Sequence, residues 1–334
     1  MEGRLEHKIK TEELIREKIS HMPDYMNRYY LSLRSKEHTT KNRYITNVSR
    51  FLLHYNNGEY PTEDLLKKID SFQIQVYMTE IQYYDMNGNI KEMKESTQCN
   101  IYSYLSSFFS FLARYGYIDR SPFDNNMIER PKIRENAVVF LTPEEVRKVE
   151  YTIMNGVGNQ VSVSKQKRWK YRDLLLFRIP VINGLRVTAL SEINVEDIDL
   201  VKRKIRVVEK GGIAKTVDFD HRTSQYIDMW LTERKKLLNG SSCNALFISN
   251  RRTRMTTTSI ENVISKYTSA CIEGKHITPH KLRATCGTNT YQQTKDIYLV
   301  SKVLGHKNTM PTKRYAAVFD EDITNAVNNV ASLY

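Results

Sequence analysis

Residues 121–145, SPFDNNMIERPKIRENAVVFLTPEE, decide how the chain is organised. From Ser121-Pro122-Phe123 through Arg130-Pro131-Lys132 the helical pattern is interrupted, because proline lacks a backbone donor and disfavours helical backbone in the residue before it. The stretch runs out on the apolar Val139-Phe140-Leu141. Thr142-Pro143-Glu144-Glu145 then opens a new helix: a threonine N-cap, a proline in the first turn and a glutamate three residues after the cap make a capping box. A linker over 126–138 therefore separates two domains, 23–125 and 139–334. A chain of 334 residues, at roughly 100–200 per domain, is long enough for both.

Upstream of the linker the pattern is helical throughout. Residues 1–22 are charged and helix-prone without a strong apolar stripe, and read as a short leader. Residues 23–55 read as two helices, with Thr39 or Thr40 as the N-cap of the second. In that second helix Tyr44, Val48, Phe51, Leu52 and Tyr55 recur at spacings of three and four and form one apolar face. Lys41, Arg43 and Arg50 are assigned to the opposite face. A third helix is expected from Asp64 to about Tyr84, after a turn at Asn57-Gly58. The fourth, Ser96 to Tyr115, carries Tyr102, Tyr104, Phe108, Phe109 and Phe111. Rings at that spacing are core material more often than stacking platforms for bases. The first domain is a small all-helical bundle.

Downstream, Gly156 to Ser164 reads as a polar loop, followed by Lys165, Lys167, Arg168 and Lys170 around Trp169. A core-type helix runs from Tyr171 into Asn183-Gly184. Ile205–Glu209 and Ile213–Phe219 are short β-like runs about Gly211-Gly212, hence a hairpin. A short strand is expected at Ala245–Ser249, and the remainder to Tyr334 reads helical. The fold class is mainly α: a helical bundle, then a mixed, mostly helical domain with a small β-hairpin sheet.

Composition narrows the function. Hydrophobic residues make up 40% and charged residues 27%, enough apolar material for two cores. No apolar run approaches the ~18 residues needed to cross a bilayer. Cys99, Cys243, Cys271 and Cys286 have no zinc or disulfide-framework spacing, which suits a reducing cytoplasm. The net charge of +13 is unevenly placed: residues 1–130 hold 18 basic and 18 acidic residues, residues 131–334 hold 33 and 20. Such a bias points to a polyanionic partner, since cations that neutralise phosphates release counterions. Candidates for DNA backbone contact are Lys41, Arg43, Arg50, Lys165, Lys167, Arg168, Lys170, Arg251, Arg252 and Arg254.

The chain has no P-loop, no Gly-rich dinucleotide turn, no His-Glu-x-x-His and no acidic cluster suited to a two-metal nuclease. Four segments supply cations instead. Asn183-Gly184-Leu185-Arg186-Val187-Thr188-Ala189-Leu190 places an arginine after a glycine turn at a helix start. Lys210 adjoins Gly211-Gly212 in the hairpin. Thr278-Pro279-His280-Lys281-Leu282-Arg283 sets His and Arg three apart, on one helical face. Leu304-Gly305-His306 precedes, by nine residues from the histidine, Tyr315 in Thr312-Lys313-Arg314-Tyr315-Ala316. Each segment alone is weak; their order within one domain is specific.

In that order the segments NGLRVTAL, TPHKLRAT, LGHKNTM and TKRYAAV resemble the tyrosine recombinases, the phage-integrase and Xer-like family. The resemblance extends over about 300 residues, since 24–125 resembles the family's helical core-binding domain. It implies an active site of Arg186, Lys210, His280, Arg283, His306 and Tyr315, with Lys215 a weaker candidate for the lysine. Tyr315 would attack a phosphodiester, forming a 3′-phosphotyrosyl link and freeing a 5′-hydroxyl. Arg186 and Arg283 would hold the non-bridging oxygens. Lys210 would be the general acid, His280 an acid/base partner and His306 a phosphate ligand. No cofactor, metal or ATP is implied. The partners implied are double-stranded DNA core sites, clamped by the two domains, and further copies of the chain: a homodimer on DNA that assembles to a homotetramer and passes through a Holliday junction, in the cytoplasm of a bacterium or of a phage or mobile-element host. Residues 319–334, with Ile323, Val327, Val330 and Leu333 at helical spacing, would form a helix exchanged with a neighbouring subunit or packed on its own domain. The 22 residues ahead of the first helical pattern are too few for an arm-binding domain, which suits a simple recombinase.

One position departs from the pattern: the acidic residue common three places after the first arginine is Ala189 here, and Glu192, six places on, is not on the same face. A type IB topoisomerase and a non-catalytic DNA-binding regulator are the alternatives.

Overall fold

Aromatic packing builds the first unit. A computed structural model describes residues 12–83, 90, 92–124, 127–132, 137–209, 212, 214–305, 312 and 315, and the chain divides into Met1–Glu135 and Asn136–Tyr334. In the first unit residues 12–20 are helical (α1), followed by α2 (Asp24–Ser32), α3 (His38–Tyr55), α4 (Glu63–Leu66), α5 (Ser71–Tyr83) and α6 (Glu95–Arg114). Phe108 of α6 meets Tyr29 of α2 edge-on at 5.1 Å between centroids, and Phe109 meets Phe51 of α3 at 5.9 Å. Edge-to-face pairs of this kind favour a packed core over an exposed stacking surface. The aromatic run of α6 is therefore core.

Four expectations for this unit are corrected. Residues 12–20 are not a stripe-less leader: Ile15 and Ile19 are buried in the core. The N-cap of α3 is Glu37, so Thr39 and Thr40 lie in its first turn. The helix expected from Asp64 is two, because the Asp70 carboxylate accepts from the amides of Phe72 and Gln73 and starts α5 afresh; Tyr84 lies outside the described residues. Lys41 does not share an open face with Arg43 and Arg50. It is 7% exposed, with its ammonium 5.0 Å from the centre of the Tyr30 ring, a packed cation–π contact. Arg43 and Arg50 are exposed.

The second unit holds α7 (Pro143–Asn155), α8 (Gln160–Gln166), α9 (Lys170–Asn183), α10 (Val187–Glu192), strands β1 (Ile198–Asp199), β2 (Lys204–Val208) and β3 (Ala214–Asp218), then α11 (His221–Leu238), α12 (Thr257–Cys271), α13 (Pro279–Thr294) and α14 (Ile297–Leu304). The strands form an antiparallel sheet in the order β1-β2-β3, with Ile205 opposite Val217 and Val207 opposite Lys215. Ile205, Val207 and Val217 point into the core while Lys204 and Arg206 face out, as period-two alternation requires. α9 is apolar nearly all round and runs through the core. Its one buried carboxylate, Asp173, is held by Arg172 at 2.7 Å and the Tyr267 hydroxyl at 2.9 Å.

The capping box forms as read. Thr142 Oγ accepts from the Glu145 amide, and Glu145 accepts from the Thr142 amide at 2.8 Å while also pairing with Lys275 at 2.7 Å. Thr142→Ala is expected to lower stability by about 1 kcal/mol, read from chemical denaturation.

Two readings change here. The polar stretch 156–164 is not all loop: Asn159 caps α8, which begins at Gln160. Ala245–Ser249 is not a strand. It makes only isolated bridges, Asn194 with Ala245 and Ile248 with Arg254. Side chains supplement its sparse backbone pairing: Trp230 Nε1 donates to the Leu246 carbonyl and Arg234 Nε to that of Ala245, each at 2.9 Å. The segment 319–334 lies outside the described residues. Among the described residues no helix is long and apolar enough to cross a membrane.

Candidate active site

Three glycines bring the site together. Gly184 ends α9 in the left-handed conformation, φ +61°, and a Cβ there would lie 2.4 Å from Leu304 Cδ2. Any other residue would be strained in that left-handed turn and would have to push the Leu304 side chain of α14 aside. The turn delivers Arg186 as the N-cap of α10. Gly305 ends α14 the same way, φ +63°, and its α-carbon faces the Lys215 ammonium and the Glu209 carboxylate. Gly287, on α13, accepts the ring of Tyr315, whose Cε2 would be 2.9 Å from an added Cβ.

Arg283 is the centre of the group. It sits one helical turn before Gly287 on α13, so the two share a face. The residue is 3% exposed, and its guanidinium donates through Nη1 to the Gly184 carbonyl and through Nη2 to the Leu304 carbonyl, both at 2.5 Å. Burial, and then the neighbouring Arg186 charge, pull its pKa below the ordinary arginine value; Glu209 and Tyr315 act the other way. Arg186 is more open, at 36% side-chain exposure, and donates from Nη1 to Glu209 Oε2 at 2.5 Å. Lys215, on β3, pairs with Glu209 Oε1 at 2.7 Å. Tyr315 is buried with Ala284, Cys286, Val300 and Leu304. His280 lies exposed in the first turn of α13, whereas Arg283 is buried in the second.

Of the six residues expected, Arg186, Arg283 and Tyr315 are gathered here, and His280 stands on the helix that carries Arg283. Lys210 and His306 lie outside the described residues; their sequence neighbours Glu209 and Gly305 meet at the site. Glu209 carries no signature in the sequence. A single acid beside Lys-Gly-Gly in a hairpin looks like any turn residue, and only the three-dimensional path shows it between two cations.

Among the expected DNA contacts, Lys165, Lys167, Arg168, Arg251 and Arg252 are exposed. Lys170 is half-buried, its ammonium 4.8 Å from the centre of the Tyr171 ring. Arg254 does different work from a free phosphate ligand: its guanidinium donates to the carbonyls of Ser191 and Ile193 and to Asn194 Oδ1, bracing the chain after α10.

The chemistry follows from the residue types. Two guanidiniums and an ammonium against one carboxylate leave a net positive pocket beside a phenol, matched to a phosphodiester that gains negative charge as it is attacked. Cys286, in the same cluster as Tyr315, is a poor nucleophile, since burial pushes its thiol up to about 11 and it donates to the Ile182 carbonyl. Gly287→Ala is expected to displace the Tyr315 ring. Strand cleavage should fall at least about tenfold, for a stability cost of about 1–3 kcal/mol, read from single-turnover kinetics beside chemical denaturation.

Comparison with known proteins gives the family. Residues 141–322, more than half of the chain, match the model of the Phage integrase family, and the chain belongs to that family, the tyrosine recombinases. It is 28% identical over 228 residues to the tyrosine recombinase XerC of Vibrio vulnificus strain YJ016, covering 68% of each chain. A tyrosine recombinase of Pseudothermotoga lettingae is 26% identical over 304 residues, 90% of this chain and 95% of the relative. The fold matches that of the Tn1549 transposon integrase in complex with transposon right end DNA, with a TM-score of 0.66 at 17% identity over 92% of this chain and 99% of the other.

Proposed function

We propose that this tyrosine recombinase cuts and rejoins duplex DNA through a 3′-phosphotyrosyl link on Tyr315. The observation that carries the reading is the Tyr315 ring seated on Gly287, one helical turn from a buried Arg283. The tyrosine hydroxyl attacks phosphorus and the 5′-oxygen leaves. Lys210 protonates the leaving oxygen, and His280 takes the phenolic proton. Lys215 is the poorer acid, because its ammonium is engaged by Glu209. Arg186, Arg283 and His306 hold the non-bridging oxygens. Since one phosphodiester replaces another, bond energy is conserved and ATP is not consumed; the cations carry the phosphate charge without a metal. Arg43, Arg50, Lys165, Lys167, Arg168, Arg251 and Arg252 supply backbone contacts, which fix register rather than sequence. Two DNA-bound dimers form a tetramer that exchanges strands through a Holliday junction, joining, inverting or resolving DNA, in the cytoplasm of its host. Domains at 23–125 and 139–334 both grip the DNA, and the second also carries the chemistry.

The test is direct. Duplexes retained by the protein from random-sequence DNA are nicked beside the cleavage position, so that the freed end diffuses away and the covalent complex accumulates. An adduct that survives denaturation and maps to Tyr315 is expected. No adduct with any retained duplex would sink the proposal.

A further inference from the structure

We infer that Glu209 is a positioning residue of the strand-transfer site: its carboxylate clasps Arg186 and Lys215 from behind and leaves their outward N–H groups to the phosphate. This rests on the recombinase reading and deepens it. Oε2 accepts from Arg186 Nη1 at 2.5 Å and Oε1 pairs with Lys215 Nζ at 2.7 Å, so one carboxylate joins the α10 arginine to the β3 lysine.

Burial decides between a clasp and a stand-in for the phosphate. The Glu209 side chain is 11% exposed, Lys215 24% and Arg186 36%. The anion is thus the innermost of the three, and the turn at Gly305 covers it, with a Cβ there falling 3.3 Å from Oε1. A phosphate arriving from solvent meets the cations first. Arginine has five N–H donors, and Glu209 takes one at Nη1, which leaves a fork for a bidentate oxygen contact. Three residues after Arg186 on α10, Ala189 is buried and uncharged.

The same contacts set the charge state. Burial pulls the Glu209 carboxyl up, but the Lys215 hydrogen bond and the charges of Lys215, Arg186 and Arg283 outweigh it and hold the carboxyl below the usual range. A folded value below the unfolded one stabilises the fold at neutral pH, and that contribution is lost as pH falls through the carboxylate range of about 4 and below.

Three variants test the clasp: Glu209→Gln, nearly isosteric and neutral; Glu209→Asp, charged but shorter; and Glu209→Ala. DNA affinity and single-turnover adduct formation are measured on the retained duplexes, with rates corrected for the folded fraction. Glu209→Gln is expected to bind DNA within about twofold of wild type and to form adduct about 10–100-fold more slowly, as for other supporting residues around a charged centre. Glu209→Asp should recover part of the rate that Glu209→Ala loses. Without DNA, the melting temperatures of wild type and Glu209→Gln should converge as pH falls from 7 through about 4. If Glu209→Gln binds DNA more tightly and cleaves as fast as wild type, Glu209 is a placeholder that DNA displaces, and the clasp is overturned. Melting curves that stay parallel over that pH range would overturn it as well, whether or not DNA is cleaved. Absence of a wild-type adduct counts against the recombinase reading alone.

Discussion

Tyr315→Phe is expected to abolish covalent capture of DNA, by at least about 10⁴-fold, with the fold and DNA affinity left in place. The ring is 4% exposed and packs with Ala284, Cys286, Val300 and Leu304. Phenylalanine keeps that packing and the contact with Gly287. Removal of one hydroxyl should move the melting temperature by no more than about 4 °C. What disappears is the only atom of the side chain able to attack phosphorus. The measurement is adduct yield on a nicked duplex, beside affinity for the intact duplex. Residual adduct near the wild-type level would place the nucleophile elsewhere in the chain.

Arg283→Lys is expected to fail twice. The guanidinium of Arg283 ties the carbonyls of Gly184 and Leu304 together and still has N–H groups left for a phosphate oxygen. An ammonium is a point charge at the end of a flexible stem and cannot span both carbonyls and the substrate. One buried carbonyl then lacks a donor, which costs about 1–3 kcal/mol of stability. Adduct formation should fall about 10²–10³-fold, as for loss of one preorganised donor at a site of developing charge. Arg186→Lys gives the contrast. The Arg186 guanidinium is more open and bonded to a side chain, so the rate loss should come with less than about 1 kcal/mol of destabilisation. Chemical denaturation and single-turnover kinetics on the same preparations separate the two cases. An Arg283→Lys enzyme that forms adduct about as fast as wild type would remove Arg283 from the chemistry.

Local signals in the chain predict local structure well. The capping box at Thr142–Glu145 needs four consecutive residues, and it forms. The hairpin about 211–212 and the glycine stop of α9 at Gly184 are likewise short-range, and both are present. Arg186 and Arg283 are legible because each lies in a segment whose neighbours have their own reasons to fold. Failures arise where burial is decided by distant chain. Lys41 has the pattern of a solvent-facing cation, but its ammonium packs over the Tyr30 ring. Residues 245–249 have the composition of a strand, but the donors to the carbonyls of 245–248 come from four separate residues: Arg234 and Trp230 on α11, Met255 through its amide, and Arg172 on α9. Ile15 and Ile19 are too sparse to register as a stripe, yet two side chains suffice to hold a short helix on a core already built. Glu209 is the extreme case, since its significance lies in an arginine 23 residues away and a lysine across the hairpin.

The two carbonyls bound to Arg283 belong to the last turns of α9 and α14, where helix dipoles present their negative ends. Two such ends converging on one guanidinium supply roughly the counter-charge of a single anion, which is how the cation can be buried with no carboxylate among the described residues bonded to it. The arrangement also behaves as a coincidence detector. Arg283 is in place only when the end of α9, which leads to Arg186, and the end of α14, which leads toward Tyr315, are both in place. On the proposed mechanism, a disturbance at either helix end should therefore slow strand cleavage by shifting Arg283.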